Sequence, residues 1–163
     1  MSGLLKILDR LLAGALVALM TALVVAVVWQ VVSRYLFSDP SPWTEEVARF
    51  LLIWVGTLGA AYAFRMKQHI GLDLLPRLLA GASAQYLRLF TVFVVVLFAA
   101  VVLVLGGSRL VHLTWELRQY SPVLGIPIAL VYSVIPITGV LIVIYSLVEP
   151  VTQIADTSAA DET

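Results

Sequence analysis

Four long apolar segments constrain the fold of this chain more than any other feature of its sequence. They cover residues 11–37, 46–64, 87–105 and 126–148. An α-helix rises about 1.5 Å per residue, so each segment is long enough to cross a hydrocarbon core about 30 Å thick. Within such a core, only helices and closed barrels pair all of their backbone groups. The sequence therefore predicts an all-α integral membrane protein with four transmembrane helices, numbered spans 1 to 4 below.

The composition supports a membrane protein and excludes several other classes. Of the 163 residues, 61% are hydrophobic and 12% are charged, an apolar content that a soluble domain of this size does not carry. A net charge of zero gives no indication of a nucleic-acid partner. The absence of cysteine excludes disulfides and thiolate metal sites, and two histidines are too few for an all-histidine metal site. The first apolar run is about twice as long as the core of a signal peptide, so we interpret it as a retained span.

Proline and serine positions predict where the helices begin and bend. Ser41 and Pro42 fit a helix start, with serine as the N-cap and proline in the first turn of span 2. Pro127 has a similar place before span 4, and Pro136 inside that span should kink it. Span 3 is expected to continue beyond its apolar run as far as Glu116.

Two further segments lie outside the four spans. Between spans 2 and 3, several leucines alternate with Asp73 and Arg77, which predicts a short helix lying in the membrane interface. Residues 151–163 are small, polar and acidic, which predicts a disordered C-terminal tail. The remaining residues, 1–150, are expected to form one four-helix transmembrane domain.

The basic residues favour an orientation with both termini in the cytoplasm. In that orientation six lysines and arginines lie on the cytoplasmic side and four on the opposite side. The cytoplasmic set is Lys6, Arg10, Arg65, Lys67, Arg77 and Arg88. The opposite set is Arg34, Arg49, Arg109 and Arg118.

Charged side chains at the start of span 2 allow two interpretations. Glu45 lies four residues before Arg49 and Glu46 lies three residues before it, so either pair can share a helical face. In the first interpretation they are solvated surface charges that contribute little to stability. In the second, Glu46 and Arg49 pair with groups on another helix or another subunit, because an arginine one turn into an apolar helix is costly against lipid.

Small residues in span 2 form two overlapping patterns that favour close helix packing. Gly56 and Ala60 are four residues apart, and so are Gly59 and Ala63. In lipid, small side chains let helix backbones approach each other. The spacing predicts a docking face, and leaves open whether the partner helix belongs to this chain or to another protein.

The middle of each span lacks the groups that transport or redox chemistry requires. No aspartate, glutamate, lysine, arginine or histidine lies in the central turns, whereas secondary transporters carry ionisable groups or broken helices at that depth. His112 shares a helical face with Arg109 and Glu116, but no second histidine is near it for a metal site or a haem. The chain by itself is therefore expected to be neither an enzyme nor a carrier of a charged solute, and to need no cofactor.

The order of several short motifs is similar to that of a known family, the small membrane (Q) subunit of tripartite ATP-independent periplasmic (TRAP) transporters. The likeness covers about residues 5–150. The motifs are Arg34-Tyr35-Leu36-Phe37, Trp43-Thr44-Glu45-Glu46 with Arg49, Trp54, Gly59-Ala60, Arg65 and His69-Ile70-Gly71-Leu72-Asp73, followed by Ser121-Pro122, Gly125-Ile126-Pro127, Tyr132 and Pro136.

The resemblance implies a multi-pass protein of a bacterial or archaeal inner membrane, in the separate rather than the fused form. Its partner would be a large polytopic membrane subunit that binds substrate and performs sodium-driven transport. A soluble periplasmic binding protein would deliver the substrate, typically an organic acid, in transient contact with the periplasmic ends of spans 1, 2 and 4. The small subunit would be a scaffold for the large one.

The resemblance also assigns expected roles to individual residues. Glu45, Glu46, Arg49 and Trp54 would order span 2 against the large subunit or within its own bundle. Arg34, Trp43 and Glu45 would lie near the periplasmic face, and Tyr35 is a further candidate for the partner interface or a structural role. Arg65, His69 and Asp73 would order the cytoplasmic connection.

Two other functions stay open from the residues alone. A small channel or exporter formed by homo-oligomerisation would be expected to carry an ionisable group at mid-depth and to conduct solute without a partner. A membrane-bound enzyme or haem protein would need convergent titratable groups or paired histidines.

Overall fold

A computed structural model describes residues 2–37, 41–66 and 82–160, with side chains at 3, 5–37, 41–66 and 90–147. Within these ranges every regular element is helical. The bounds are Ser2–Leu36, Pro42–Arg65, Ala82–Phe98, Ala99–Gly106, Gly107–Glu116, Ile128–Tyr132 and Val134–Ala160. Four stretches are long and apolar enough to cross a membrane, which confirms the all-α, four-span prediction. They are Leu5–Leu36, Pro42–Arg65, Phe90–Glu116 and Ile128–Leu147, and are called spans 1 to 4 from here on.

Span 2 begins where the sequence predicts. Ser41 is extended, with φ −94° and ψ 90°, and Pro42 lies in the first turn. Proline suits this position because the first N–H groups of a helix have no partner within the helix. The Ser41 hydroxyl makes no capping bond among the described residues. Its carbonyl instead accepts a hydrogen bond of 2.7 Å from the hydroxyl of the fully buried Thr44.

Span 4 is interrupted near its start, as Pro136 predicts. The helix Ile128–Tyr132 ends at Ser133, and a second helix begins at Val134. Because proline has no N–H, the carbonyl of Tyr132 loses the donor that a regular helix would supply four residues later. Pro127 directly precedes the span in an extended conformation, with φ −62° and ψ 124°.

Span 3 extends to Glu116 as expected, but its middle is wound differently. Residues Ala99–Gly106 form a π-helix, in which N–H groups bond to carbonyls five residues back. Ala99 at the start of this segment and Gly107 directly after it are both buried. Nothing in the apolar sequence of this segment distinguishes it from an ordinary helix.

Spans 3 and 4 approach each other at two glycines. A Cβ atom on Gly139 would lie 2.7 Å from the Cβ atom of Leu103, and one on Gly107 would lie 2.9 Å from Cγ2 of Ile135. Both distances are shorter than side-chain contacts normally allow. The close approach of the two spans therefore requires glycine at both positions.

The four spans pack in the order 1, 2, 4, 3. Within the described residues, the backbone of span 1 comes close to that of span 2 and to no other span. Span 2 also packs on span 4, and span 4 packs on span 3. A small core of Leu12, Leu58, Val134 and Tyr145 joins spans 1, 2 and 4. Spans 1 and 3 thus form the two edges of a row and expose much of their apolar surface.

Two predicted features fall wholly or partly outside the described residues. The interfacial helix between spans 2 and 3 would lie within residues 67–81, which the structure does not describe. The last helix continues to Ala160, into the segment predicted to be a disordered tail. No glycine or proline follows Pro150 to stop it. The division into a domain at 1–150 and a tail at 151–163 stays a prediction.

Candidate partner surface and the polar contacts that position it

Glu46 lies in a buried polar contact that joins span 2 to the loop between spans 3 and 4, residues 117–127. Its side chain is only 7% exposed. One carboxylate oxygen accepts hydrogen bonds from the backbone N–H groups of Val123, at 3.2 Å, and Leu124, at 3.0 Å. The Ser121 hydroxyl is within hydrogen-bonding reach of the same carboxylate. Glu46 therefore pairs two backbone donors of the loop in a partly buried setting.

The 117–127 loop is held by its own backbone as well. The N–H of Ser121 donates to the carbonyl of Ile126 at 2.9 Å, and that of Ile128 donates to Gln119 at 2.9 Å. Arg118, with φ 49°, and Gly125, with φ 67°, turn the chain through left-handed conformations. The loop is consequently a defined structure anchored on span 2.

Charges at the start of span 2 fit the two interpretations that the sequence allows only in part. Arg49 pairs with Glu45 at 3.2 Å, and both side chains are largely exposed, so this pair is a surface contact. Glu46 is not a solvated surface charge, but its hydrogen bonds go to the backbone of the 117–127 loop rather than to another helix or subunit. Arg49 makes no hydrogen bond or ion pair with another span among the described residues.

Trp54 provides a second contact between spans 2 and 4. Its indole N–H donates to the backbone carbonyl of Val131 at 3.1 Å, next to the interruption at Ser133. Indole N–H groups buried in an apolar setting need such an acceptor. This hydrogen bond supports the expected role of Trp54 in ordering span 2 within the bundle.

A third polar contact joins spans 1, 2 and 4 at the ends of the helices opposite to Glu46. The Arg65 Nε atom lies 3.4 Å from an Asp9 carboxylate oxygen, with both side chains mostly buried. The guanidinium of Arg65 also lies over the ring of Tyr145, 5.7 Å from its centre. A cation over an aromatic ring is attracted to its face. Arg65 was expected to order the nearby connection, and the structure brings it together with residues of two other spans.

Replacing Asp9 with alanine should destabilise the protein, because Arg65 would keep a mostly buried charge without its partner. We expect the free energy of unfolding to fall by about 2 kcal/mol, below the range for fully buried pairs since this one is partly exposed. Thermal unfolding of the detergent-solubilised chain measures the change. The matched control is Arg49→Ala, which breaks an exposed pair and should cost less than about 1 kcal/mol. Equal effects of the two variants would contradict a special role for Asp9.

Span 2 exposes a continuous stripe on the side opposite its buried residues. Leu58 and Ala61 face the bundle, whereas Leu52, Gly56 and Ala60 are exposed. We call these three residues, with the Glu45–Arg49 pair at one end, the outer stripe. A Cβ atom on Gly56 would meet no atom within 4 Å. The Gly56–Ala60 pattern is therefore not used for packing among the described spans.

The second small-residue pattern lies at the edge of the outer stripe. A Cβ atom on Gly59 would be 4.0 Å from Leu16 of span 1, an ordinary contact distance. Gly59 and Ala63 are both half-buried. The Gly59–Ala63 pattern therefore borders span 1, whereas the Gly56–Ala60 pattern faces outward.

The remaining candidate residues are exposed or undescribed. Arg34, Tyr35 and Trp43 all lie on the surface, at the same ends of the helices as Glu46. Tyr35 is 76% exposed and Trp43 is 47% exposed. His69 and Asp73 lie outside the described residues. His112 pairs with Glu116 at 3.5 Å on the surface. Within the described ranges no three histidine, aspartate or glutamate side chains are placed to hold a metal.

Three groups in these contacts were not predicted from the sequence: Asp9, the N–H groups of Val123 and Leu124, and Tyr145. An aspartate close to an apolar run on one span, with an arginine at the same end of the next span, is a signal that could have indicated the first contact. The loop N–H groups carry no sequence signal.

Comparison with known proteins adds the family to this geometry. Residues 23–156 match the family described as tripartite ATP-independent periplasmic transporters, DctQ component. A Haemophilus influenzae protein named as a TRAP transporter small permease is 31% identical over 82% of this chain and 79% of its own length. The C4-dicarboxylate TRAP transporter small permease protein DctQ of Rhodobacter capsulatus is 31% identical over 58% of this chain and 41% of its own length. The isethionate TRAP transporter permease protein DctMQ of Oleidesulfovibrio alaskensis is 28% identical over 90% of this chain, but only 24% of that longer protein is matched. The exposed row of four spans described above is therefore that of a small membrane subunit, and the chain belongs to the DctQ, or small permease, family of TRAP transporters.

Proposed function

We propose that this chain is a non-catalytic scaffold that docks, through the outer stripe of span 2, on the large membrane subunit of a sodium-coupled transporter for organic acids. The observation that carries the proposal is that Gly56 and Ala60 lie on an open face of a helix that is otherwise packed. Small residues on a membrane helix allow another helix to approach closely.

The row arrangement supports a scaffold rather than a carrier. Spans 1 and 3 do not close on each other among the described residues, so these residues enclose no path of their own. The charged groups of the described spans lie toward the span ends. A row of helices with two broad faces can brace a larger membrane protein along its side.

The longer relative supports a larger membrane partner. In the DctMQ protein of Oleidesulfovibrio alaskensis, the region like this chain is about a quarter of one permease chain. A segment covalently continuous with a larger permease is held at high effective concentration beside it. A small subunit without such a linkage would need a docking surface to stay beside its partner.

Substrate class and orientation are parts of the same proposal. The named relatives concern C4-dicarboxylate and isethionate, which are both anions of organic acids. The basic residues support termini in the cytoplasm of an inner membrane. The helix ends near Glu46, together with the 117–127 loop, would then face the periplasm. A soluble binding protein would make transient contact there.

Replacing Gly56 with leucine should separate this chain from the large subunit without unfolding it. Leucine fits the open space at this position in the isolated chain but would block close approach of a partner helix. We expect recovery of the large subunit with the tagged chain to fall about tenfold, which corresponds to about 1.4 kcal/mol of binding free energy. Affinity purification from membranes in mild detergent, with quantitative mass spectrometry, measures the change.

The matched control is Gly14→Leu in span 1, where an added Cβ also meets nothing within 4 Å. It should leave recovery unchanged. Loss of the large subunit in the Gly14 variant alone would move the docking face to span 1. Recovery of the wild-type chain only as a homo-oligomer would overturn the proposal in favour of a self-sufficient channel.

A further inference from the structure

The 117–127 loop pairs most of its backbone donors within the protein. Two of its eleven residues, Pro122 and Pro127, carry no N–H. Seven of the other nine donate hydrogen bonds to acceptors of this chain, at distances of 2.9 to 3.2 Å. A loop in water can take its acceptors from the solvent, whereas a segment in contact with lipid has to find them within the protein. The backbone of this loop therefore suits a setting with little water.

The outward-facing side chains of the same loop are apolar. Leu117 is 60% exposed, Tyr120 57%, Val123 50% and Ile126 38%. Trp115, just before the loop, is 61% exposed. Apolar side chains grouped on one ordered segment are unfavourable in water and mark a contact with a membrane or with another protein.

The lengths of spans 3 and 4 place the loop at the boundary of the hydrocarbon core. Span 4 starts at Ile128, directly after the loop, and its 20 residues correspond to about 30 Å, the full thickness of the core. Span 3 contains 27 residues, or about 40 Å, so its last turns extend beyond the core. The loop therefore returns from the end of span 3 to the hydrocarbon boundary at Pro127.

An exposed tryptophan of span 2 lies at the same level as the loop. The Glu46 carboxylate holds Val123 and Leu124 beside the start of span 2, where Trp43 is 47% exposed. Tryptophan and tyrosine are enriched where a membrane meets water. Trp43 and Tyr120 thus fit a belt of aromatic side chains at the membrane surface.

The charges near the loop balance, which favours lipid over a strongly charged protein partner. Three carboxylates and three guanidinium groups lie on the loop and on the adjoining ends of spans 2 and 3, namely Glu45, Glu46, Glu116, Arg49, Arg109 and Arg118. The Glu46 carboxylate is taken up by the loop backbone. Long arginine side chains can extend from the membrane interface toward water while their apolar stems stay in it.

We propose that the 117–127 loop is an interfacial anchor. Its apolar side chains lie among lipid at the boundary between headgroups and acyl chains, and Glu46 supplies the acceptor that two of its N–H groups would otherwise take from water. Because span 4 follows the loop without a spacer, the lipid contact of the loop fixes the depth of span 4. The anchor depends neither on the orientation of the chain nor on the outer stripe, and so goes beyond the proposed function.

The depth of the loop can be measured with the full chain in vesicles of zwitterionic lipid. Because the chain has no cysteine, Tyr120→Cys and Val123→Cys can each carry a single fluorophore. Lipids with a nitroxide near the headgroup end of the acyl chain should quench both fluorophores more strongly than lipids with a nitroxide near the chain end. Aqueous iodide should quench them at least about threefold less than a fluorophore at Glu116→Cys, because ions are excluded from the acyl region.

The reference for a deep position is Leu97→Cys, since Leu97 is 50% exposed within the apolar part of span 3. The nitroxide near the chain end should quench this fluorophore most strongly. Adding anionic lipid to the vesicles should leave the quenching at Tyr120→Cys and Val123→Cys unchanged, because the charges near the loop balance.

Glu46→Ala should move the loop toward water. Iodide quenching at Val123→Cys should rise at least about twofold, because two N–H groups then need water as their acceptor. Glu46→Gln keeps an acceptor oxygen and should restore most of the original depth. Glu45→Ala removes the neighbouring carboxylate, which contacts only an exposed arginine, and should leave the depth unchanged.

Iodide quenching of the loop fluorophores as strong as that at Glu116→Cys would overturn the inference and place the loop in water. An unchanged depth in Glu46→Ala would contradict the role given to Glu46. Benzoylphenylalanine in place of Tyr120, photolysed in native membranes, tests the other occupant. An efficient cross-link from that position to a protein would replace lipid with a protein partner and so overturn the anchor.

Discussion

Glu46→Ala is expected to release the 117–127 loop from span 2. The alanine has no acceptor, so the partly buried N–H groups of Val123 and Leu124 lose the carboxylate that accepts from both. Leu124 keeps a bond of 3.2 Å to the Ser121 hydroxyl, whereas Val123 has no other acceptor among the described contacts. Hydrogen exchange at the Val123 amide should accelerate by at least about tenfold, because the amide loses the hydrogen bond that protects it and the loop loses its attachment to span 2.

Two controls separate this effect from a general loss of charge. Glu46→Gln keeps an acceptor oxygen in the same place and should restore most of the protection. Glu45→Ala removes a neighbouring carboxylate that is paired only with an exposed arginine, and should leave loop exchange unchanged. Wild-type exchange rates in Glu46→Ala would show that the loop is held by its own backbone alone.

Gly139→Ala is expected to force spans 3 and 4 apart. The new methyl group would lie 2.7 Å from Leu103 Cβ and 3.1 Å from the backbone nitrogen of Val104, and neither atom can move without shifting span 3. Overpacking of this kind costs about 1–3 kcal/mol, so the detergent-solubilised protein should unfold at a clearly lower temperature. The shortest contacts lie within the π-helical segment, so its winding should change as well.

Gly56→Ala is the matched control, because the same methyl group there meets no atom within 4 Å. Alanine also favours a helix interior over glycine, so this variant should be as stable as the wild type or slightly more stable. Equal unfolding temperatures for the two variants would show that spans 3 and 4 can separate at little cost.

Local patterns in the sequence were sufficient for the helices and their ends. Apolar length predicts the spans, Pro42 marks the start of span 2, and Pro136 explains the interruption of span 4. The Gly56–Ala60 spacing predicts a packing face, although only the structure shows that this face points away from the chain's other spans. These features follow from residues within one or two helical turns of each other.

Contacts between residues that are distant in the sequence could not be predicted from such local patterns. The Glu46 bonds join residues 77 and 78 positions apart, and the acceptor of the Trp54 indole is likewise 77 positions away. Backbone donors and acceptors exist at every residue, so no residue type identifies them. The π-helical winding of span 3 could not be predicted either, because valine, leucine and alanine fit either kind of helix in lipid.

The order in which the spans pack has a consequence for biosynthesis. Spans 1 and 2 leave the ribosome as one hairpin and spans 3 and 4 as a second, and among the described spans it is span 4 that packs the second hairpin on the first. The donors to the Glu46 carboxylate and the acceptor of the Trp54 indole come from the 117–127 loop and from span 4. The polar contacts of the first hairpin described above are therefore completed only after the loop and span 4 have been made.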